Sequence, residues 1–168
     1  MRTPRLSTAT AADVPDILRL IKGIAEYERL SHEVVATEAV LQESLFGARP
    51  VAEVLLAWPD AAGGDREVAP VAFAVFFSNF STFLGKAGIF LEDLFVLPEW
   101  RGNGIGEALF RRVAQIAVER GAGRMEWSVL DWNEPALNFY RKLGARPMDE
   151  WTVQRLTGEA LRAAASAV

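Results

Sequence analysis

Six consecutive residues, Arg101-Gly-Asn-Gly-Ile-Gly106, carry the sharpest chemical signature in the chain. Three glycines at alternate positions remove Cβ from a turn and let backbone approach a ligand closely. Helical apolar spacing begins at Ile105, so the turn opens a helix. Unsatisfied N–H groups at a helix start, reinforced by the helix dipole, attract anions. The pattern predicts a pyrophosphate-binding turn. Its spacing separates it from two common nucleotide motifs. A dinucleotide fingerprint needs G-x-G-x-x-G, and here the third glycine comes one place too soon. A Walker A loop needs Lys and then Ser or Thr after the last glycine, and Glu107 follows Gly106. The competing reading is a helix start that is merely rich in glycine.

Four further residues have types suited to catalysis. Glu92 sits inside an apolar stretch, between Leu91 and Leu94. A carboxylate there is costly unless it faces a cleft or a partner. It is either a base or an edge-strand residue in an ion pair. Asp93 points to the opposite side of the pleat from Glu92 if no bulge intervenes. Tyr140 follows Leu137 and precedes Leu143 by three residues each, a helical stripe that also suits a plain core tyrosine. Glu28 falls at the end of a helical pattern, where the plain reading is a solvated helix-end charge. His32 reads as a loop residue, and Trp132 and Trp151 as core or acceptor-lining aromatics.

Composition excludes several chemistries. The chain has no cysteine and one histidine, so thiolate nucleophiles, disulfides, zinc sites and a histidine triad are not expected, and no metal is expected. Net charge is −4 over 168 residues, so nothing pulls generally on nucleic acid or anionic lipid. The longest apolar run, residues 69–77, is too short to span a bilayer, and residues 1–13 hold no apolar signal region. The expectation is a single domain over residues 1–168, cytoplasmic and not membrane-bound.

The elements that must position these groups follow from periodicity. Strands are expected over residues 6–9, 51–58, 68–77, 89–97 and 125–130, and a last one over 151–156. Residues 10–13 resemble a capping box with Pro15 in the first turn of a helix running to Glu28. Thr37 opens a second helix that Gly47 stops. Residues 59–65 read as a loop, residues 105–120 as the strongest helix, and Asn133 as the cap of a shorter one ended by Gly144. Gly158 begins a terminal helix or a frayed tail. The order gives a mixed α+β fold around one sheet.

The motif then fits a known pattern. Arg101-x-x-Gly104-x-Gly106 resembles the coenzyme A loop of GCN5-related N-acetyltransferases. The segments Ala11-Ala12-Asp13, residues 16–22, Tyr27-Glu28, Leu91-Glu92-Asp93 and Asp131-Trp132-Asn133-Glu134 resemble the diamine acetyltransferase branch of that family. The likeness covers residues 8–158. It implies a mostly antiparallel central sheet flanked by helices, with acetyl-CoA as cosubstrate and direct acetyl transfer to a primary amine. It implies that backbone of Leu94, Phe95 and Val96 pairs with the pantetheine arm, and that the Leu94 N–H polarises the thioester carbonyl. It assigns Arg101, Gly102, Asn103, Gly104, Ile105 and Gly106 to the pyrophosphate, and Asn133 and Tyr140 to the thioester end. Arg111, Arg112 and Arg141 stay open as partners of the 3′-phosphate. The same resemblance makes Glu92 the base, acting through water, and Tyr140 the acid that protonates the leaving thiolate. Glu28, Glu92 and Asp93 become the amine-binding carboxylates, and a homodimer with last strands packed across its interface is implied.

Two stretches depart from polyamine specialists. Residues 29–33 and 79–82 are poor in carboxylates where those enzymes carry extra acidic groups. The expected acceptor is therefore a thialysine- or lysine-like amino acid or a short diamine. A spermidine/spermine acetyltransferase, a non-catalytic acyl-CoA sensor and a protein acetyltransferase are the alternatives.

Overall fold

The computed structural model describes residues 4–59 and 68–166. Five strands form one sheet in the order β1-β2-β3-β4-β5: Arg5–Thr8, Glu53–Trp58, Ala72–Ser81, Lys86–Val96 and Met125–Trp127. The first three pairings are antiparallel and β4–β5 is parallel. The mostly antiparallel sheet agrees with the expected fold class. Five helices accompany it: α1 (Val14–Tyr27), α2 (Glu38–Phe46), α3 (Ile105–Glu119), α4 (Glu134–Lys142) and α5 (Gly158–Ser166). By contacts the chain divides into two compact units, residues 1–128 and 129–168.

Local rules place the helices of the first unit. The Thr10 N–H and hydroxyl both donate to Asp13 Oδ2, at 2.7 and 2.8 Å, and tie off the chain before α1. Pro15 lies in the first turn of α1, where its missing N–H costs nothing. Thr37 caps α2, accepting from the Val40 N–H at 3.3 Å. Ile17 and Leu20 of α1 join Val54, Leu56, Phe73 and Phe95 in one buried cluster, with Leu41 and Leu45 of α2 packed against it. This defines the α1 face of the sheet. The far end of α3 is fixed by Arg120, which donates to both carboxylate oxygens of Glu53 at 2.5 and 2.7 Å and lies over Phe76.

The β3–β4 register carries a shift. Val75 pairs with Asp93, while Phe76 pairs with Leu91. Glu92 is thus an extra residue on β4, a bulge that changes which face its neighbours use. A regular strand puts Leu91, Asp93 and Phe95 on one side. Here Asp93 and Phe95 share the α1 face with Val75 and Phe73, and Leu91 goes to the other face with Phe76. The condition attached to Asp93 in the sequence, an uninterrupted pleat, is therefore not met: a bulge intervenes at Glu92.

Several strand boundaries moved, β3 beginning at Ala72 rather than 68 among them. β3 runs four residues past Phe77, to Ser81, and β4 begins at Lys86, so the hairpin is longer than its apolar core. β5 ends at Trp127 rather than at 130. The strand expected over residues 151–156 is not formed. Trp151, Val153 and Leu156 are 71, 78 and 55 % exposed, and the segment has neither helix nor strand hydrogen bonding. An alternating apolar stretch becomes a strand only where an edge is available to pair with it. Of the loop expected over residues 59–65, all but Pro59 lies outside the described residues.

Candidate active site

The glycine turn is built as its composition demands. Gly102 and Gly104 both have φ near +77°, a left-handed conformation that strains any residue with a Cβ. Neither has a neighbouring atom within 4 Å of where a Cβ would sit, so conformation rather than crowding requires glycine. Gly104 is the N-cap of α3 and supplies no side-chain cap, which leaves the first N–H groups of that helix open to an anion. Asn103 braces the turn: its Nδ2 donates to the carbonyls of Trp100 at 3.1 Å and Arg101 at 3.3 Å. Ile105 is buried and anchors the helix start. At Gly106 a Cβ would meet only Val96 Cγ2, at an ordinary contact distance of 3.5 Å, so this glycine is not demanded by crowding.

Arg101 is more engaged than a free phosphate ligand. Its Nε donates to the Val96 carbonyl at 3.0 Å. Its guanidinium lies 4.4 Å from the centre of the Tyr27 ring and 5.7 Å from that of Phe95. Phe95 is buried, meets Phe73 edge-on, and fills the space opposite Gly23. The role of Tyr27 was missed in the sequence as a separate feature. The Tyr27-Glu28 pair marked the place, but nothing in the spacing links residue 27 to residue 101.

Strand β4 changes partners next to this turn. Its pairing with β5 covers only Ile89, Phe90 and Leu91. Leu94, Phe95 and Val96 pair with β3 on one edge, and among the described residues no strand pairs with them on the other. The bulge at Glu92 coincides with the end of the β5 pairing.

Three carboxylates gather at the same end of β4. Glu92 is exposed, and Asp93 and Glu28 are half-buried. Burial, with the added charges of Glu92 and Glu28, pushes the Asp93 carboxyl up to about 6. Burial also raises the Glu28 carboxyl above its ordinary range. The structure thus brings together Glu28, Glu92, Asp93, Phe95, Val96 and Arg101. An apolar strand carrying carboxylates of like sign, one held near neutrality, can attract a cation and exchange a proton with it.

The second unit carries Asn133, Tyr140, Trp132 and Arg141. Asn133 is buried and caps α4, accepting from the Ala136 N–H at 3.4 Å. Tyr140 lies half-buried on α4 with its ring edge-on to Phe139 at 5.1 Å. Trp132 is 52 % exposed. The three arginines left open for a 3′-phosphate each have a partner on their own helix: Arg111 with Glu107, Arg112 with Glu119, and Arg141 with Asn138. His32, expected in a loop, lies in a one-turn 3-10 helix over Ser31–Glu33 and is close to Glu33 on the surface.

Comparison with known proteins gives the geometry a family. Residues 23–145 match the acetyltransferase (GNAT) family. An L-ornithine N5-acetyltransferase of Arabidopsis thaliana is 36 % identical, covering 95 % of this chain and 86 % of its own length. A thialysine N-epsilon-acetyltransferase of Mus musculus is also 36 % identical, covering 96 % and 97 %. A solved integron cassette protein of V. cholerae has the same fold, with a TM-score of 0.79 at 22 % identity over 99 % of this chain and all of its own. The chain belongs to the GNAT acetyltransferase family and is an acetyl-CoA-dependent N-acetyltransferase.

Proposed function

We propose that this enzyme acetylates the side-chain amine of a small amino acid of the thialysine, lysine or ornithine type, or of a short diamine. The gathering of Glu28, Glu92 and Asp93 where Arg101 of the glycine turn meets Tyr27 carries the proposal. Such a group attracts an alkylammonium and lowers the cost of bringing it into a half-buried site. Two of the relatives named above act, by their names, on amino-acid side-chain amines.

In this reading Glu92 removes the ammonium proton through water, while Asp93 and Glu28 hold the cation. The freed nitrogen attacks the thioester carbonyl carbon, the carbon–sulfur bond breaks, and Tyr140 protonates the departing thiolate. No acyl-enzyme forms, which suits a chain without cysteine. Leu94, Phe95 and Val96 offer pantetheine the edge of β4 that no strand uses among the described residues. Residues 101–106 take the pyrophosphate, and the family resemblance assigns Asn133 to the thioester end. One domain over residues 1–168 is part of the proposal, since the family match runs through both compact units. So is a cytoplasmic homodimer, supported by the exposed apolar residues Trp151, Val153 and Leu156. Mass measurement in solution and cell fractionation check these two points.

A second reading is acetylation of polyamines. A human spermidine/spermine N(1)-acetyltransferase-like protein is 31 % identical over 91 % of this chain but only 22 % of its own length. The low carboxylate content of residues 29–33 and 79–82 favours the shorter acceptor. The test is CoA release with thialysine, lysine, ornithine, putrescine, spermidine, spermine and a lysine peptide. The highest kcat/KM is expected for one of the amino acids. A spermine value well above that for thialysine gives the polyamine reading. A preference for the peptide gives a protein substrate, and acetyl-CoA binding without turnover gives a sensor.

A further inference from the structure

The arginine that opens the glycine turn reaches away from it, toward the other end of the site. Its Nε bond goes to Val96 on β4, and its flat face lies against Tyr27 in the last turn of α1. Glu28 follows Tyr27 directly and closes that helix. Phe95 lies under the same guanidinium and against Gly23, one turn before Tyr27. A cation over an aromatic face fixes a distance and a plane together, which a point charge on a flexible stem does not. The turn, the end of β4 and the end of α1 therefore meet at one side chain.

We propose that Arg101 is a positioning residue that clasps the coenzyme turn to α1, so that the set of the turn and the placement of Glu28 for the amine depend on one another. The proposal rests on the acetyltransfer reading above and adds a coupling to it. Coenzyme bound at the turn stiffens Arg101, Arg101 holds Tyr27, and Glu28 is then set for the acceptor. Amine affinity is accordingly higher in the presence of acetyl-CoA than in its absence, and by reciprocity the amine tightens the coenzyme.

The test uses Arg101→Lys, Tyr27→Leu, their double variant and Tyr27→Phe. Arg101→Lys keeps a positive charge near any phosphate but loses the planar stack and the Nε donor. At saturating acetyl-CoA, Arg101→Lys and Tyr27→Leu are each expected to raise the amine KM about two- to five-fold, the scale of one stacked cation. The double variant is expected to be no worse than the poorer single one, and Tyr27→Phe, which keeps a ring face, to stay nearer the parent. The rise in amine KM for Arg101→Lys is expected with acetyl-CoA and is expected to be smaller with S-acetylpantetheine, which lacks the pyrophosphate and leaves the turn empty. A loss confined to acetyl-CoA, with the amine KM unmoved, makes Arg101 a phosphate ligand only and overturns the clasp. Independent, multiplying effects of the two substitutions overturn it as well. If the parent turns over no amine, the acetyltransfer reading fails by itself. The clasp is then decided by the same four proteins in thermal unfolding, where non-additive shifts support it and additive shifts overturn it.

Discussion

Glu28 at the end of α1 raises the proton affinity of Asp93 on β4. The two meet because the bulge at Glu92 turns Asp93 onto the α1 face. An aspartate held up at about 6 binds a proton in the folded chain that it has lost in the unfolded one between pH 4 and 6. Its contribution to stability is therefore full below about pH 4 and lost as pH rises through 6. Asp93→Asn is expected to stabilise the fold by on the order of 1–2 kcal/mol at pH 8 and by little at pH 4. Thermal unfolding across that range checks it. A variant gain that is the same at both pH values contradicts the carboxylate account. Glu28→Gln is expected to lower the Asp93 titration, followed by its side-chain carbon resonance.

Glu92→Gln and Tyr140→Phe test the two proton-transfer roles. Each is expected to reduce kcat by about 100-fold to 10,000-fold, the range for loss of a positioned acid or base. The acetyl-CoA dissociation constant is expected to stay within a few-fold of the parent. Calorimetry with acetyl-CoA and CoA-release kinetics measure the two quantities. Near-parental kcat in either variant removes that residue from the mechanism.

Gly104→Ala tests the turn. The φ of +77° costs a residue with a Cβ roughly 1–2 kcal/mol, and no neighbouring atom blocks the methyl group. The expected result is a KM for acetyl-CoA raised about tenfold, with kcat at saturation little changed. An unchanged KM means that the N-terminus of α3 does not face the coenzyme.

Gly23→Ala tests the closeness of α1 to the sheet. A Cβ there falls 2.8 Å from Phe95 Cε1, and the ring is buried between Phe73 and the Arg101 guanidinium. Alanine gains about 1 kcal/mol of helix propensity. Overpacking against a ring with nowhere to move costs about 1–3 kcal/mol and is expected to win. The transition temperature should fall by a few degrees. A rise shows that α1 can shift outward by the required distance.

Much of this protein was written in local patterns. The glycine turn, the start of α3 at Ile105, the Thr37 and Asn133 caps and the apolar stripe of α1 depend on neighbours a few residues away. Backbone sterics and hydrogen bonding act at that range, so spacing alone revealed them. The absence of cysteine and the one histidine likewise bounded the chemistry before any fold was known.

Tertiary structure decided what depends on pairing across the chain. The bulge at Glu92 is a mismatch between β3 and β4, and neither strand shows it alone. It alone determines which face Asp93 takes, and with that its burial and its approach to Glu28. The stack of Arg101 on Tyr27 joins residues far apart in sequence and leaves no periodic trace. Residues 151–156 show the converse: their pattern suits a strand, and no edge among the described residues pairs with it. Local preference names what a segment can become, and the partner within hydrogen-bonding reach determines what it does become.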